Sequence, residues 1–586
     1  MKHITHEVDF CVVGGGLAGL CAAVAAARRG AKTLLMHDRP VLGGNASSEI
    51  RMWICGATGN GPHMRETGLV EEIQLDNLQR NPHRSYALWD ALLYEKAAFQ
   101  ENLALLLNCS CCEAKMDGAR IREIRGWQST AETWHTVRAP LFADCSGDSI
   151  LAPLSGAEFR IGREASSEFG ESIAPEEADS RTMGMSCLLQ VREMDSPQRF
   201  IAPAWANRYD EEFFTRKFGA PIGPYTGGTE NFWWIEVGGL GDTVHDAEKN
   251  RDELLKIVYG VWDFYKNGPH ARATENWALD WVGVLPGKRE SRRYVGDHVM
   301  TQNDVRAGGP FDDIVAYGGW TMDDHFPAGF HHQGGSPTIH HPVPRPYGIP
   351  YRCLYSRNIE NLMFAGRNIS VTHTALSSSR VMSTCAILGQ AAGTAAAIAM
   401  RHGLSPRGVY EHRLGELQAH LLDDDCHLLD MPRAIGPLAR AATLSASCGE
   451  PAIVINGIDR PRNGDLNAWQ AGEGDWVEFR FAQPQAVGGM RLVFDSNLDF
   501  RILNMPSNYP LNAKFPDVPD TLVRGFRIET QRPDGTWETA AEVQDNAQRL
   551  VRLRFSPRNT AAVRLVVAST RREAPVNVFA AEPLAK

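Results

Sequence analysis

Three glycines in "VVGGGLAGL" (Gly14, Gly16 and Gly19) form a GxGxxG spacing. Each has its own physical reason. Gly14 permits a tight turn, Gly16 lets the backbone approach a pyrophosphate, and Gly19 lets a helix pack closely on a strand. A helix that opens there offers free N–H groups and partial positive charge to phosphates. Histidine is the second chemistry-bearing type. The segment "YGGWTMDDHFPAGFHHQGGSPTIHHPVPRPYGIPYR", Tyr317 to Arg352, holds five of the nineteen histidines: His325, His331, His332, His340 and His341. Imidazole titrates near neutral pH, so it can take a hydroxyl proton as a hydride leaves. Three readings stand: a solvated polar loop, an active-site loop in which His325 or His332 is the base, or a metal site. A metal needs three converging ligands with oriented partners. HH-x7-HH is no known ligand spacing, so no metal is expected. His373, in "SVTHTALSSSR", is the sharper candidate for the base; the alternative is a histidine that caps a helix or bonds to backbone. His63, in "GNGPHMRE", reads as a loop residue.

Two further stretches suit a substrate. "NFWWIEVGG" puts Trp233, Trp234 and Glu236 on one strand. Rings that stack on sugar CH groups and a carboxylate that bonds hydroxyls make a sugar platform, although either Trp alone could be core. "KRESRRYVGDHV", with Arg292 and Arg293, could neutralise an anionic substrate, line a cofactor or form a solvated ion-pair network. Tyr317 is placed with Trp233, Glu236 and Arg292 on the substrate side.

These residues need elements to hold them. "VDFCVVGGGLAGLCAAVAAARRGAKTLLMHD" reads as strand, tight turn, Ala-rich helix ended by Gly30, and second strand, the context that turns a bare GxGxxG into a dinucleotide site. The second strand should end in an acid that holds a ribose. His37 stands there and Asp38 follows one residue late, so either could reach the ribose. Residues 82–107 read as helical, 118–144 as short strands, and Ser379 to about His402 as one long helix. From about 445 onward, alternating strands such as "DWVEFRF", "GGMRLVFD" and "AAVRLVVAS" predict a β-sandwich.

Three segments carry a resemblance. "RPVLGGNASS" resembles the GG-containing motif after the second strand in glutathione-reductase-like flavoproteins, with Asn45 where that motif often has Arg. "ADCSGDSILAPLSGAE" resembles the superfamily's strand-then-(S/T)GD segment, and "NLMFAGRNISVTHTALSSSRVMSTCAILGQAAGTAAA" its C-terminal flavin segment. Together with "DRPVLGGNASSE" and "IPYRCLYSRNIENLMFAGRNIS", they resemble a branch of FAD-dependent oxidoreductases found among carbohydrate-utilisation enzymes, over roughly residues 7–400. The resemblance implies FAD, lined by Gly14, Gly16, Gly19, His37 or Asp38, Arg39, Gly43, Gly44, Asn45, Ser48, Gly147, Asp148, Gly366, Arg367, Ser379 and Arg380. It also implies a helix N-terminus aimed at the flavin, which stabilises negative charge near N1 and O2 of the reduced ring. His373 lies between the flavin strand and that helix. Covalent FAD attachment is not expected.

The fold class expected is α/β: a Rossmann-like FAD-binding domain (residues 1–165 and 351–404) with an inserted mixed α+β substrate domain (166–350), a helical connector (405–444) and a C-terminal β-sandwich (445–586). "NGIDRP…NAWQA…DWVEFRF…VGGMRLVFD" makes that last part resemble discoidin-like, galactose-binding-like modules, which often bind carbohydrate. A chain of 586 residues with net charge -10 and scattered charge shows no basic run for nucleic acid or anionic membrane. No apolar segment precedes the first strand, the run Ala391 to Met400 is too short to span a bilayer, and the twelve cysteines are scattered, so a cytoplasmic protein with reduced thiols is expected. No second GxGxxG marks a nicotinamide site, the electron acceptor has no motif of its own, and a homo-oligomer is compatible with the sequence. The function expected is oxidation of a secondary alcohol of a sugar or glycoside to a ketone by hydride transfer to flavin N5. The alternatives are reduction of an unsaturated acid, elimination or epimerisation through a transient ketone, and a non-catalytic carbohydrate-binding protein with a vestigial flavin, against which the intact glycine set argues.

Overall fold

A computed structural model describes residues 1–585 except 59, 228–229, 463 and 501–504. The chain forms two compact units. Unit 1 comprises Met1–Asn60, His83–Leu417 and Leu503–Phe515; unit 2 comprises Gly61–Pro82, Gln418–Ile502 and Pro516–Lys586.

Unit 1 is built on a five-stranded parallel sheet in the order Leu362–Phe364, Leu141–Asp144, Phe10–Val13, Thr33–Met36, Leu103–Leu106. All but the edge strand Leu103–Leu106 are buried along their whole length, as parallel strands covered on both faces must be. Register is what matters for the site. Val13 pairs with both Met36 and Asp144, and Asp144 with Phe364, so the chain leaves all four strands at one level. Gly14, His37, Cys145 and Ala365 therefore emerge side by side at the carboxyl ends, where open α/β sheets bind ligands.

The helix Leu17–Arg28 follows the first strand and is nearly all buried. Against it lies Met382–His402, and glycines set the spacing. A Cβ built on Gly389 would sit 2.0 Å from the Ala18 carbonyl oxygen, and one on Gly393 would sit 2.0 Å from that of Ala22. The long helix is long and apolar enough to cross a membrane, but 94% of its apolar window is buried inside the protein.

Two elements differ from the sequence reading. The stretch 82–107 is helical only over Tyr86–Ala98, and Leu103–Leu106 is the edge strand of the parallel sheet. A short apolar run does not separate helix from strand by pattern alone. The helix read from Ser379 is two helices, His373–Ser379 and Met382–His402. Val381 is extended (φ -67, ψ 146), so the second helix has its own N-terminus, where Ser383 N–H donates to the Cys55 carbonyl at 2.9 Å.

A second sheet, ordered Lys2–Glu7, Thr133–Arg138, Arg120–Gln128, Cys109–Asp117, flanks the parallel one in sequence. Residues between 166 and 350 form short antiparallel ladders and the helix Ala247–Asn267 around an aromatic core that includes Phe214, Trp234, Trp262 and Phe330. The segment 506–509 also belongs to unit 1: Tyr509 N–H donates to Val191 O (3.0 Å), and the Asn508 side chain joins the Val191 N–H (2.9 Å) to the Glu230 carbonyl (2.6 Å).

Unit 2 is a seven-stranded antiparallel sheet over an apolar core. Its two longest strands, Trp476–Phe494 and Leu550–Ser569, pair with a register break between Arg480 and Gln485, and Trp476–Phe494 also pairs with Ala442–Ala446 along its first half and with Val576–Ala585 along its second. Leu75 and Leu78, from the early helix Leu69–Arg80, belong to that core. The unit also buries charge: Asp459 takes Arg433 and Arg491, each at 3.0 Å, and Asp425 takes Arg549 at 2.8 Å. His63 is paired with Asp499 at 2.8 Å in this unit. Cys11 and Cys21 are buried in their strand and helix.

Candidate active site

The glycine loop is close-packed on one side and open on the other. A Cβ on Gly14 (φ +103) would meet the Cys145 carbonyl at 2.5 Å, and one on Gly19 would meet the Gly14 oxygen at 1.8 Å. A Cβ on Gly16 would meet nothing nearer than Gly44 Cα at 3.8 Å. The second glycine turn docks on the first: Gly43 N–H donates to Gly15 O at 2.8 Å. His37 braces the same loop. Its Nδ1 accepts the Gly15 N–H (2.9 Å), which leaves the proton on Nε2 to donate to Val41 O (3.1 Å). Asp38 Oδ1 lies 3.2 Å from the same Nδ1, and the Asp38 side chain is 62% exposed at the strand end. Arg39 lies 3.9 Å from Asp38 and 3.7 Å from Glu49. Asn45 donates to Lys288 O (3.1 Å), and Ser48 N–H to Asp90 (3.2 Å).

Asp148 is held by Lys288 (2.7 Å), Arg367 (2.6 Å) and Ser291 (2.8 Å). Burial pushes its pKa up, but the two cations outweigh that and hold the carboxyl well below its usual range. A Cβ on Gly147 (φ +78) would strike the Arg367 guanidinium at 2.6 Å. Four buried polar atoms along this path make no hydrogen bond within the described protein: Arg367 Nε, Asn368 Oδ1, Ser379 Oγ and Arg380 Nε.

Two histidines are each clamped between carboxylates, and one short strand serves both. Along Met322–His325 successive side chains alternate faces. Asp323 and His325 fall on one face: His325 Nδ1 is 2.6 Å from Glu236 and Nε2 is 3.3 Å from Asp323. Asp323 in turn binds Arg380 at 3.0 Å. Asp324, on the other face, is 3.1 Å from His373 Nε2, and Glu290 is 2.8 Å from His373 Nδ1. Burial alone would lower the His373 pKa, but Glu290 and Asp324 raise it to about 10. At neutral pH His373 is therefore an imidazolium, not the neutral ring a general base requires. It opens the helix His373–Ser379, with Thr372 as the N-cap and its own backbone N–H on Glu164 (2.9 Å).

The remaining expected residues are placed as follows. His332 stacks on Phe326 (centroids 3.8 Å apart, 9° between planes), away from both clamps, and burial lowers its pKa. Trp233 is half-buried and meets His325 edge-to-face at 5.6 Å; Trp234 is core. Glu236 is sealed, its oxygens on Gly184 N–H (2.6 Å) and His325, so it orients a histidine and offers no free oxygen for a hydroxyl. Tyr317 is fully buried. Arg292 is half-buried with its guanidinium on Asp148 O (3.3 Å), whereas Arg293 is sealed against Glu164 (3.1 Å) and Glu290 (3.6 Å). Among the described residues, no group of three or more His, Cys, Asp or Glu side chains is arranged to hold a metal.

The family model described as "FAD dependent oxidoreductase" matches residues 9–421. The chain belongs to that family. It is an enzyme whose cofactor is FAD. No curated protein matches the chain. Solved structures similar to part of it include the family 32 carbohydrate-binding module of Streptococcus pneumoniae EndoD (15% identity, 25% of this chain and 99% of that one, TM-score 0.20). Another is chitosan-binding module 1 of a Paenibacillus sp. IK-5 chitosanase/glucanase (15% identity, 25% of this chain and 97% of that one, TM-score 0.19).

The residues of this FAD-dependent oxidoreductase fit its cofactor. No side-chain atom lies within 4 Å of a Cβ built on Gly16, the helix Leu17–Arg28 begins at the next residue, and Arg367 Nε, Asn368 Oδ1, Ser379 Oγ and Arg380 Nε are buried with no partner among the described residues. Sequence reasoning missed Lys288, Glu290, Asp323 and Asp324 as site residues. A signal existed for the last two: "TMDDH" on a strand must send adjacent aspartates to opposite faces.

Proposed function

We propose that this oxidoreductase oxidises a secondary alcohol of a sugar or glycoside to the ketone. When bound, FAD supplies the two-electron acceptor that takes the hydride at N5. The glycine loop and the N-terminus of Leu17–Arg28 would hold the pyrophosphate, and Asp38, with its exposed carboxylate, would hold the ribose while His37 braces the loop. Lys288 and Arg367, joined through Asp148, and the start of Met382–His402 would face the rest of the cofactor.

The observation that carries the reading is the packing of Trp233 on His325, whose ring is tied through Asp323 to Arg380. An aromatic face for sugar CH groups thus adjoins titratable groups linked to the expected flavin segment. Reduction of an unsaturated acid would need a pair of arginines, and Arg293 is already sealed between two glutamates. The test is anaerobic addition of neutral glycosides, free sugars and uronates, one at a time, to the yellow protein. Bleaching by a neutral glycoside or sugar is expected; reoxidation of chemically reduced enzyme by an enoate alone, with no bleaching by any alcohol, overturns the reading.

A further inference from the structure

We propose that Asp324 Oδ2 takes the hydroxyl proton during alcohol oxidation, with His373 and Glu290 as the positioning residues behind it; this rests on the alcohol-oxidising reading above. His373 cannot take that proton. Both its nitrogens face carboxylate oxygens, Glu290 Oε2 at 2.8 Å and Asp324 Oδ1 at 3.1 Å. A carboxylate only accepts, so both nitrogens donate and the ring has no lone pair to offer. The raised pKa of His373 agrees with this.

Asp324 is the member of the clamp that can act. Its Oδ1 is fixed by the imidazolium, while its Oδ2 makes no hydrogen bond among the described residues. Its side chain is 23% exposed, whereas His373 and Glu290 are 5% and 0% exposed. Glu290 is itself held by Met183 N–H at 2.9 Å and by Arg293 at 3.6 Å, so the far end of the relay is rigid. Burial would raise the Asp324 pKa, but His373, Arg163 and His325 lower it overall, so the carboxylate is ionised before reaction and returns its proton to water afterwards. Glu164 and Glu171 lie behind His373, the first on its backbone N–H and the second on Thr372, and neither touches Asp324.

The step balances. The alcohol O–H breaks and its proton goes to Asp324 Oδ2. The oxygen's electron pair forms the C=O bond, and the carbinol C–H pair leaves as hydride to oxidised FAD, the oxidant the family supplies.

The experiment uses the full-length holoprotein. Asp324→Asn is expected to retain the bound-flavin spectrum and to slow anaerobic bleaching at saturating substrate by about 10²–10⁴-fold, the range for loss of a general base. Asp324→Glu should restore part of that rate, and KM should move less than kcat. Independently of substrate, nitrogen-detected NMR of His373 in the wild type should show two ring N–H protons. A bleaching rate in Asp324→Asn within about twofold of wild type overturns the inference and leaves the alcohol reading standing. A neutral His373 ring overturns it whatever the substrate. Wild-type flavin that no alcohol reduces overturns the underlying reading, and the inference with it.

Discussion

Replacing Gly389 with alanine tests whether two helices meet as closely as the cofactor site requires. The added Cβ would sit 2.0 Å from the Ala18 carbonyl oxygen and 2.7 Å from the Ala18 carbonyl carbon, so backbone meets backbone and no flexible side chain can give way. Restoring an ordinary contact means parting Met382–His402 from Leu17–Arg28 by roughly 1.4 Å, and overpacking of this kind costs about 1–3 kcal/mol. Alanine also favours the helix over glycine by about 1 kcal/mol. With the clash at the upper end, the net loss is about 2 kcal/mol. Leu17–Arg28 carries the glycine loop on its N-terminus, so the displacement should loosen FAD as well. Gly415 is the control: it too lies in a helix, and a Cβ there meets nothing within 4 Å. Gly415→Ala should raise stability by roughly 0.5–1 kcal/mol and leave flavin content unchanged. Thermal unfolding, with flavin absorbance after gel filtration, reads both. A Gly389→Ala protein as stable and as yellow as wild type would refute the close-approach reasoning.

Three other expectations follow from the site and from unit 2. His37→Ala strips the Gly15 N–H of its buried acceptor, which costs about 1–3 kcal/mol, so FAD retention after gel filtration should drop further than in Asp38→Asn; equal retention in both would count against the brace. Because the folded pKa of His373 is raised, its contribution is fully present below pH 6.5 and is lost as pH rises through about 10; the gap corresponds to a term on the order of 5 kcal/mol. Denaturant melts from pH 6 to 10 should therefore fall more steeply for wild type than for His373→Gln, and parallel curves would contradict the imidazolium. In unit 2, Asp459→Ala leaves Arg433 and Arg491 buried without their shared carboxylate, and breaking such a pair costs about 3–5 kcal/mol; the unit 2 melting transition should drop sharply, and an unchanged transition would refute it.

Much of the cofactor half was legible because it is local. The glycine spacing, the helix and the two flanking strands lie within Phe10–Met36, and the bracketing turn at Gly43 and Gly44 follows directly. Fully apolar strands also read as a buried parallel sheet, since side chains on both faces need cover. The proton-handling half was not legible. Glu290, Asp324 and His373 are separated by 34 to 83 positions and meet only when three segments converge. The protonation state of His373 was misread for the same reason: spacing names a histidine, but its charge depends on which carboxylates fold against it.

Sequence alone determined that this chain makes a glycine-loop βαβ unit and carries the motif series of an FAD-dependent oxidoreductase, because short-range sterics demand glycine at fixed offsets. Tertiary structure decided three other things. It made His37 a brace for the loop, since the Gly15 N–H reaches its Nδ1. It drew Leu75 and Leu78 into the unit 2 core, although the neighbouring segments of the chain on either side build unit 1. And it turned His373 into a cation that leaves a free oxygen on Asp324, because two buried carboxylates stabilise a charge that burial alone would remove.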